Sequence, residues 1–122
     1  MAQLLKIVNL TKNNKSIQVE NYSSFWLKFR GLMFRQVLSP GEGVIFIDQG
    51  VSRLNASIHM LFMNFEIAVF WVNKKKQIVD KVIARPWKPF YMPGSPACIT
   101  IEAHPSHYGD FDIGDQIAIE PF

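Results

Sequence analysis

Apolar and polar residues alternate over residues 4–8 and 17–19, the period of two that turns one face of a strand toward a core. Between them stands Asn13-Asn14, whose short amide side chains tolerate the positive φ of a tight turn, so the two runs predict a hairpin. The period then lengthens. Phe25, Trp26, Phe29 and Leu32 recur at helical spacing behind Ser23 or Ser24, either of which can cap a helix, and predict the one substantial helix, between residues 23 and 35. Gly31 lies at its expected end, where a left-handed backbone suits glycine. Proline and glycine in residues 38–43 break the pattern, and Val44-Ile45-Phe46-Ile47-Asp48 resumes a strand. Residues 58–63 and 67–72 are rich in β-branched and aromatic side chains, and 77–83 follow a lysine turn; these three are expected to form the buried middle of a sheet. A proline-rich loop over 84–97 precedes the last two strands, 99–102 and 116–119, which Gly109 and Gly114 separate. Eight short strands and one helix predict a mainly β fold bordering on α+β: a compact, mostly antiparallel, barrel-like or clam-shaped sheet that manages its edges by curling. Helical crossovers are missing, which argues against a βαβ series.

Composition narrows this picture. With 122 residues the expectation is one domain, 1–122, and 48% hydrophobic residues against 19% charged exclude disorder. The net charge of +3 is low for a dedicated DNA-binding module. Its only basic run, Lys74-Lys75-Lys76, falls at an expected hairpin turn, where lysines discourage edge pairing. The single Cys98 excludes an intrachain disulfide and a multi-thiolate metal site. Lys6 and Asn9 interrupt the start of the chain, so no secretion signal is read. Residues 56–72 carry His59, Asn64 and Glu66 and fall short of a spanning helix. A soluble, cytoplasmic protein with a reduced thiol, no membrane partner and no cofactor is the expectation, and the oligomeric state stays open.

No nucleophile elbow, phosphate-binding loop or dinucleotide fingerprint occurs, so candidate chemistry rests on scattered residues. His59 lies in Ser57-Ile58-His59-Met60, where alternation sets it opposite Ile58 and Met60. Facing a cavity, its near-neutral pKa makes it the best acid, base or ligand in the chain; facing the core, it is a hydrogen-bonded structural residue. Arg30, Arg53 and Arg85 sit in or beside breaks and can clamp a carboxylate or phosphate, or instead pair with a structural carboxylate such as Glu42, Glu102 or Asp115. Trp87, Phe90 and Tyr91 in the proline-rich loop offer flat contact surfaces for a ligand, or cover one end of the sheet. His104 and His107 lack the acidic third ligand a metal site needs, and no metal is expected.

Arg30-Gly31-Leu32-Met33, Gly43-Val44-Ile45-Phe46, Ser57-Ile58-His59-Met60-Leu61-Phe62-Met63 and Gly114-Asp115 occur in an order and spacing that resembles the domain-of-unknown-function family 192, also called uncharacterised protein family 0127. The resemblance spans roughly residues 24–120. It implies a small, mostly β domain of bacteria and archaea without an established activity, with Arg30, Gly31, Met33, His59, Met60, Glu102, Gly114 and Asp115 as family positions. The chain departs from many members by carrying Glu66 and Ala68 where those have proline and aspartate, which implies that any chemistry of that aspartate is absent or moved here.

Three readings of function follow. In the preferred one, a non-catalytic binding module holds a small polar or anionic ligand or a peptide in a groove bordered by Arg30, Arg53, His59, Arg85 and Trp87. The alternatives are an enzyme, a hydrolase or isomerase with His59 as general base and Arg53 or Arg85 stabilising an anion, and a single-stranded nucleic-acid binder. Nucleic acid is the least favoured partner.

Overall fold

The alternating runs become neighbours in one seven-stranded sheet. A computed structural model describes the chain except for residues 1–2, 13–14, 22–40, 42, 54–55, 59, 61–62, 89 and 122, and the side chain of residue 49. The strands are β1 (Gln3–Asn9), β2 (Ser16–Asn21), β3 (Gly43–Ser52), β4 (Ile67–Val72), β5 (Ile78–Ala84), β6 (Ala97–Ala103) and β7 (Ile117–Pro121). Their order across the sheet is β5-β4-β6-β3-β2-β1-β7, antiparallel at every pairing but β2 with β3. In the β1–β2 pair Leu5 faces Val19 and Ile7 faces Ile17, so the alternation seen in the sequence sets this register: a slip of either strand by one residue would turn its two apolar side chains out of the core.

The sheet curls into a half-barrel until its two edges touch. The Gly114 amide donates to the Ile78 carbonyl at 2.8 Å, the Ile78 amide to Asp115 at 3.0 Å and the Ile117 amide to Lys76 at 2.9 Å. Part of each edge strand is thereby paired, which is the gain that closure offers an antiparallel sheet. Gly114 takes a φ of +96° at this seam, a conformation that glycine adopts without a Cβ penalty.

Two apolar clusters lie on opposite faces. One draws on all seven strands and on Phe111 and fills the inside of the curl; Phe70 and Phe111 meet there with ring centroids 5.3 Å apart. The other covers the outer face of β3 to β6, where Val44, Phe46, Val69 and Trp71 lie under Ala56, Met60 and Met63. β4 explains why its sequence shows no alternation: Ala68, Phe70 and Val72 point inward while Ile67, Val69 and Trp71 point outward, and all six are buried. A continuous apolar run is what burial on both faces requires. The Trp71 indole N–H donates to the Ala56 carbonyl at 2.7 Å, giving the buried donor its acceptor.

Several expectations change. The described residues of the segment 58–63, Ile58, Met60 and Met63, belong to no strand of the sheet; Ile58 makes a single bridge to Tyr91. Met60 and Met63 instead cover the outer face of β4, with Ile58 packed against the same cluster. β5 is an edge and not part of the buried middle, which β4 and β6 supply together with β3. A short 3-10 helix, Pro105–Asp110, which local pattern did not predict, packs against β4 and β5. The helix expected between residues 23 and 35, the Asn13-Asn14 turn, and the predictions for Arg30, Gly31 and His59 lie outside the described residues. Gly43 has a reason of its own: a Cβ there would lie 2.9 Å from the Glu102 carbonyl oxygen of the neighbouring strand, closer than a side chain can stand.

Candidate functional site

Arg53, Arg85 and Trp87 lie on two loops laid over the outer face. The loops are stitched to each other. The Arg53 side chain donates through Nε to the Pro93 carbonyl at 2.9 Å. Ile58 and Tyr91 exchange backbone bonds of 2.9 and 2.8 Å, the Met60 amide donates to Lys88 at 3.0 Å, and the Trp87 amide to Met60 at 2.8 Å. The Tyr91 hydroxyl accepts the Arg85 amide at 2.9 Å. Met60, buried in the outer cluster, anchors this layer to the sheet. The proline-rich loop is therefore braced along its length by backbone bonds, and proline's fixed φ reduces what it loses on ordering.

This layer presents aromatic and basic groups to solvent. Trp87 is 55% exposed, Phe90 47%, and Met92, Arg85 and Lys88 are exposed beside them. The Lys88 ammonium stands over the Tyr91 ring at 4.7 Å from its centroid, a cation–π contact. Trp87 holds a φ of +66°, a left-handed conformation that is a genuine outlier for a bulky residue. Arg30 and His59, the other two members of the expected groove, lie outside the described residues.

The positions implied by the family resemblance divide by role. Asp115 is buried and does not pair with an arginine among the described residues. Its Oδ2 accepts the Asn9 Nδ2 at 2.8 Å and the Asp112 amide at 2.8 Å. Asn9, fully buried, also donates to the Asp110 carbonyl at 2.8 Å and accepts the amides of Thr11 and Lys12 at 2.9 and 3.0 Å. Gly114-Asp115 thus fastens the seam of the half-barrel to the end of β1. Sequence reasoning missed Asn9, although a signal exists: it continues the two-residue steps of Leu5 and Ile7 on the inward register, and a polar residue there needs buried partners.

Glu102 lies between Val44 of β3 and Val69 of β4 on the outer face and is 7% exposed. Burial pushes its carboxyl up to about 7, because the low-dielectric surroundings disfavour the charged form. Of the departing positions, Ala68 packs in the inner core and Glu66 is exposed. The two loop histidines serve their own turn: His104 Nδ1 accepts the Ser106 amide at 3.1 Å, and His107 Nδ1 lies 3.0 Å from an Asp110 carboxylate oxygen. Lys81 donates to the Tyr108 carbonyl at 2.9 Å and to Asp112 at 2.8 Å, its ammonium 4.0 Å from the Tyr108 ring centroid. Desolvation, then the nearby Lys12 charge, lower its pKa against the opposing pull of Asp115.

The profile of the family DUF192, described as an uncharacterized ACR, matches residues 7–119. A UPF0127 protein of Pyrococcus furiosus is 38% identical over 97 residues, covering 79% of this chain and 80% of its own. A second, from Thermococcus sibiricus, is 37% identical over 116 residues, covering 91% and 72%. Among solved structures, a protein of Sinorhizobium meliloti, provisionally named a transcription regulator, superposes with a TM-score of 0.83 at 14% identity over 97% of this chain and 93% of its own. A protein of unknown function from Novosphingobium aromaticivorans gives 0.78 at 16% identity, over 94% and 83%. At these identities the structural likeness speaks for the fold alone.

Proposed function

The chain belongs to the DUF192 family, and we propose that it is a cytoplasmic binding module that takes a small anionic ligand or peptide onto the two-loop layer over its outer face. Trp87 carries this reading. A left-handed φ costs a residue with a Cβ about 1–2 kcal/mol, and the tryptophan that meets this cost keeps 55% of its surface in water. Strained positions of this kind persist at ligand clamps, where the surrounding structure holds a side chain ready. Here Met60, through its carbonyl, holds the Trp87 amide, and Arg85 and Lys88 flank the indole in sequence with exposed positive charge. The module would grip an anionic group between the Arg85 and Lys88 side chains, with Arg53 bordering the site, and lay the indole on a flat apolar part of the same ligand. No bond making is required.

The test is a thermal-shift survey of carboxylate and phosphate metabolites, nucleotides and short acidic peptides, because a ligand that binds the folded state raises the midpoint by mass action. Trp87→Gly should abolish the shift given by any binder. Its own stability should stay within about 1 kcal/mol of the parent, since relief of the φ strain offsets the extra entropy of glycine. Arg85→Ala should weaken the same binder about tenfold, roughly the worth of one charge-assisted bond. Binders that both variants retain at full strength, or a Trp87→Gly protein that unfolds far below the parent, would remove this layer from the function.

A further inference from the structure

Three turns meet where the edges of the half-barrel touch, and Gln116 ties them together. Its carbonyl accepts the Leu10 amide at 2.8 Å, its amide donates to the Thr11 hydroxyl at 2.9 Å, and its Nε2 donates to the Lys75 carbonyl at 2.7 Å. The lysine turn is fixed from within as well: Asn73 Oδ1 accepts the amides of Lys75 and Gln77 at 2.9 and 3.0 Å. Lys74, Lys75 and Lys76 are thus carried on a braced turn at a defined end of the molecule.

The charge at this end is one-sided. The described residues of the three turns hold Lys12, Lys15, Lys74, Lys75 and Lys76 against two carboxylates, Asp112 and Asp115. Asp115 is buried against Asn9, and Asp112 is shared by Lys12 and Lys81. Lys15, Lys74, Lys75 and Lys76 therefore gather four positive charges at one end of a chain whose net charge is +3. Among them stand two aliphatic side chains turned to water, Leu10 at 54% and Ile113 at 60% exposure, each in or beside one of these hydrogen-bonded turns. The described turn residues include no arginine and no aromatic ring, the groups by which proteins grip single-stranded nucleic acid.

We propose that this end of the half-barrel docks on the surface of an anionic lipid bilayer, with the lysines on the headgroups and Leu10 and Ile113 entering the acyl boundary. Basic residues near an anionic leaflet and apolar groups placed at the headgroup boundary contribute separately to such binding. The sequence expectation of no membrane partner rested on the absence of a spanning segment. Docking at a surface needs none, and no helix among the described residues is long and apolar enough to cross a membrane. This surface is formed by different residues from the Trp87 layer, so either assignment can fail alone.

The full chain is sedimented with vesicles of phosphatidylcholine and with vesicles that also contain phosphatidylserine, at low and at physiological salt. Binding should require phosphatidylserine and weaken with salt. The double variant Lys74→Gln/Lys75→Gln should lose about thirtyfold in affinity, from about 1 kcal/mol for each lysine near the surface. Leu10→Ser/Ile113→Ser should lose roughly tenfold, the worth of partial burial of two aliphatic side chains, while keeping its salt dependence. Both variants change exposed positions, and their melting midpoints check that they fold. Equal binding to both vesicles, no binding, or full retention by the lysine variant overturns the proposal. Homopolymeric RNA held as tightly as the anionic vesicles, with no effect of Leu10→Ser/Ile113→Ser, would overturn it too by showing a general polyanion surface.

Discussion

Asn9→Ala should lower the melting midpoint by about 15 °C, the equivalent of roughly 4 kcal/mol for a domain of this size. One side chain makes four bonds at the seam of the half-barrel, to the Asp110 carbonyl, the Asp115 carboxylate and the amides of Thr11 and Lys12. Alanine deletes all four and leaves a buried carboxylate short of a donor, and each buried group left without a partner costs about 1–3 kcal/mol. Asp115→Asn should be far milder. Both bonds to Asp115 arrive at one oxygen, Oδ2, and an amide carbonyl placed there accepts both. Asn9→Ala and Asp115→Ala combined should cost clearly less than their sum, since each removes the same bond. Thermal unfolding of the parent and the four variants decides the matter: an Asn9→Ala midpoint within a few degrees of the parent would mean that the seam does not depend on this network.

Glu102 sets the second large effect, a dependence of stability on pH with the opposite sign to that of a salt-bridged carboxylate. Its folded pKa is raised from 4.5 to about 7 by burial, so between those values the folded state holds a proton that the unfolded state has released. The stability present below pH 4.5 is therefore lost as pH rises toward 7, by about 3 kcal/mol in all. Glu102→Gln keeps the shape and carries no charge at any pH. It should match the parent near pH 4 and exceed it by about 3 kcal/mol at pH 8. Urea titrations across this range should show the parent's stability falling while the variant's changes much less. Parallel curves for the two proteins would place the charged Glu102 in surroundings as polar as water.

Most of the sheet is legible in the sequence, because alternation and β-branched runs are local properties and a strand's two faces follow from them directly. Leu5 and Ile7 against Val19 and Ile17 are read from period two and found in register. Residues 58–63 read equally well as a strand, yet Met60 and Met63 cover Ile67, Val69 and Trp71 of β4 from above the sheet. Local pattern registers that such residues seek burial and says nothing of whether they reach it as a strand or as a covering loop. Arg53 and Trp87 stand out in the sequence as loop residues with binding chemistry. Their membership of one braced layer depends on Pro93 and Met60, partners 40 and 27 positions away, and the left-handed backbone of Trp87 has no signature in its neighbours.

The sequence by itself determined the mainly β class, seven of the strands, the lysine hairpin turn and the chemistry available on the loops, all of which follow from the identities of residues close together in the chain. Only the tertiary structure decided that the sheet closes on itself at Gly114 and Ile78, that Asn9 meets Asp115 across 106 positions, that Glu102 stands buried between two valines, and that two turns far apart in the chain bring their lysines to one end. Each of these depends on which distant residues become neighbours, and that is set by the packing free energy of the whole chain, to which any short window contributes only a part.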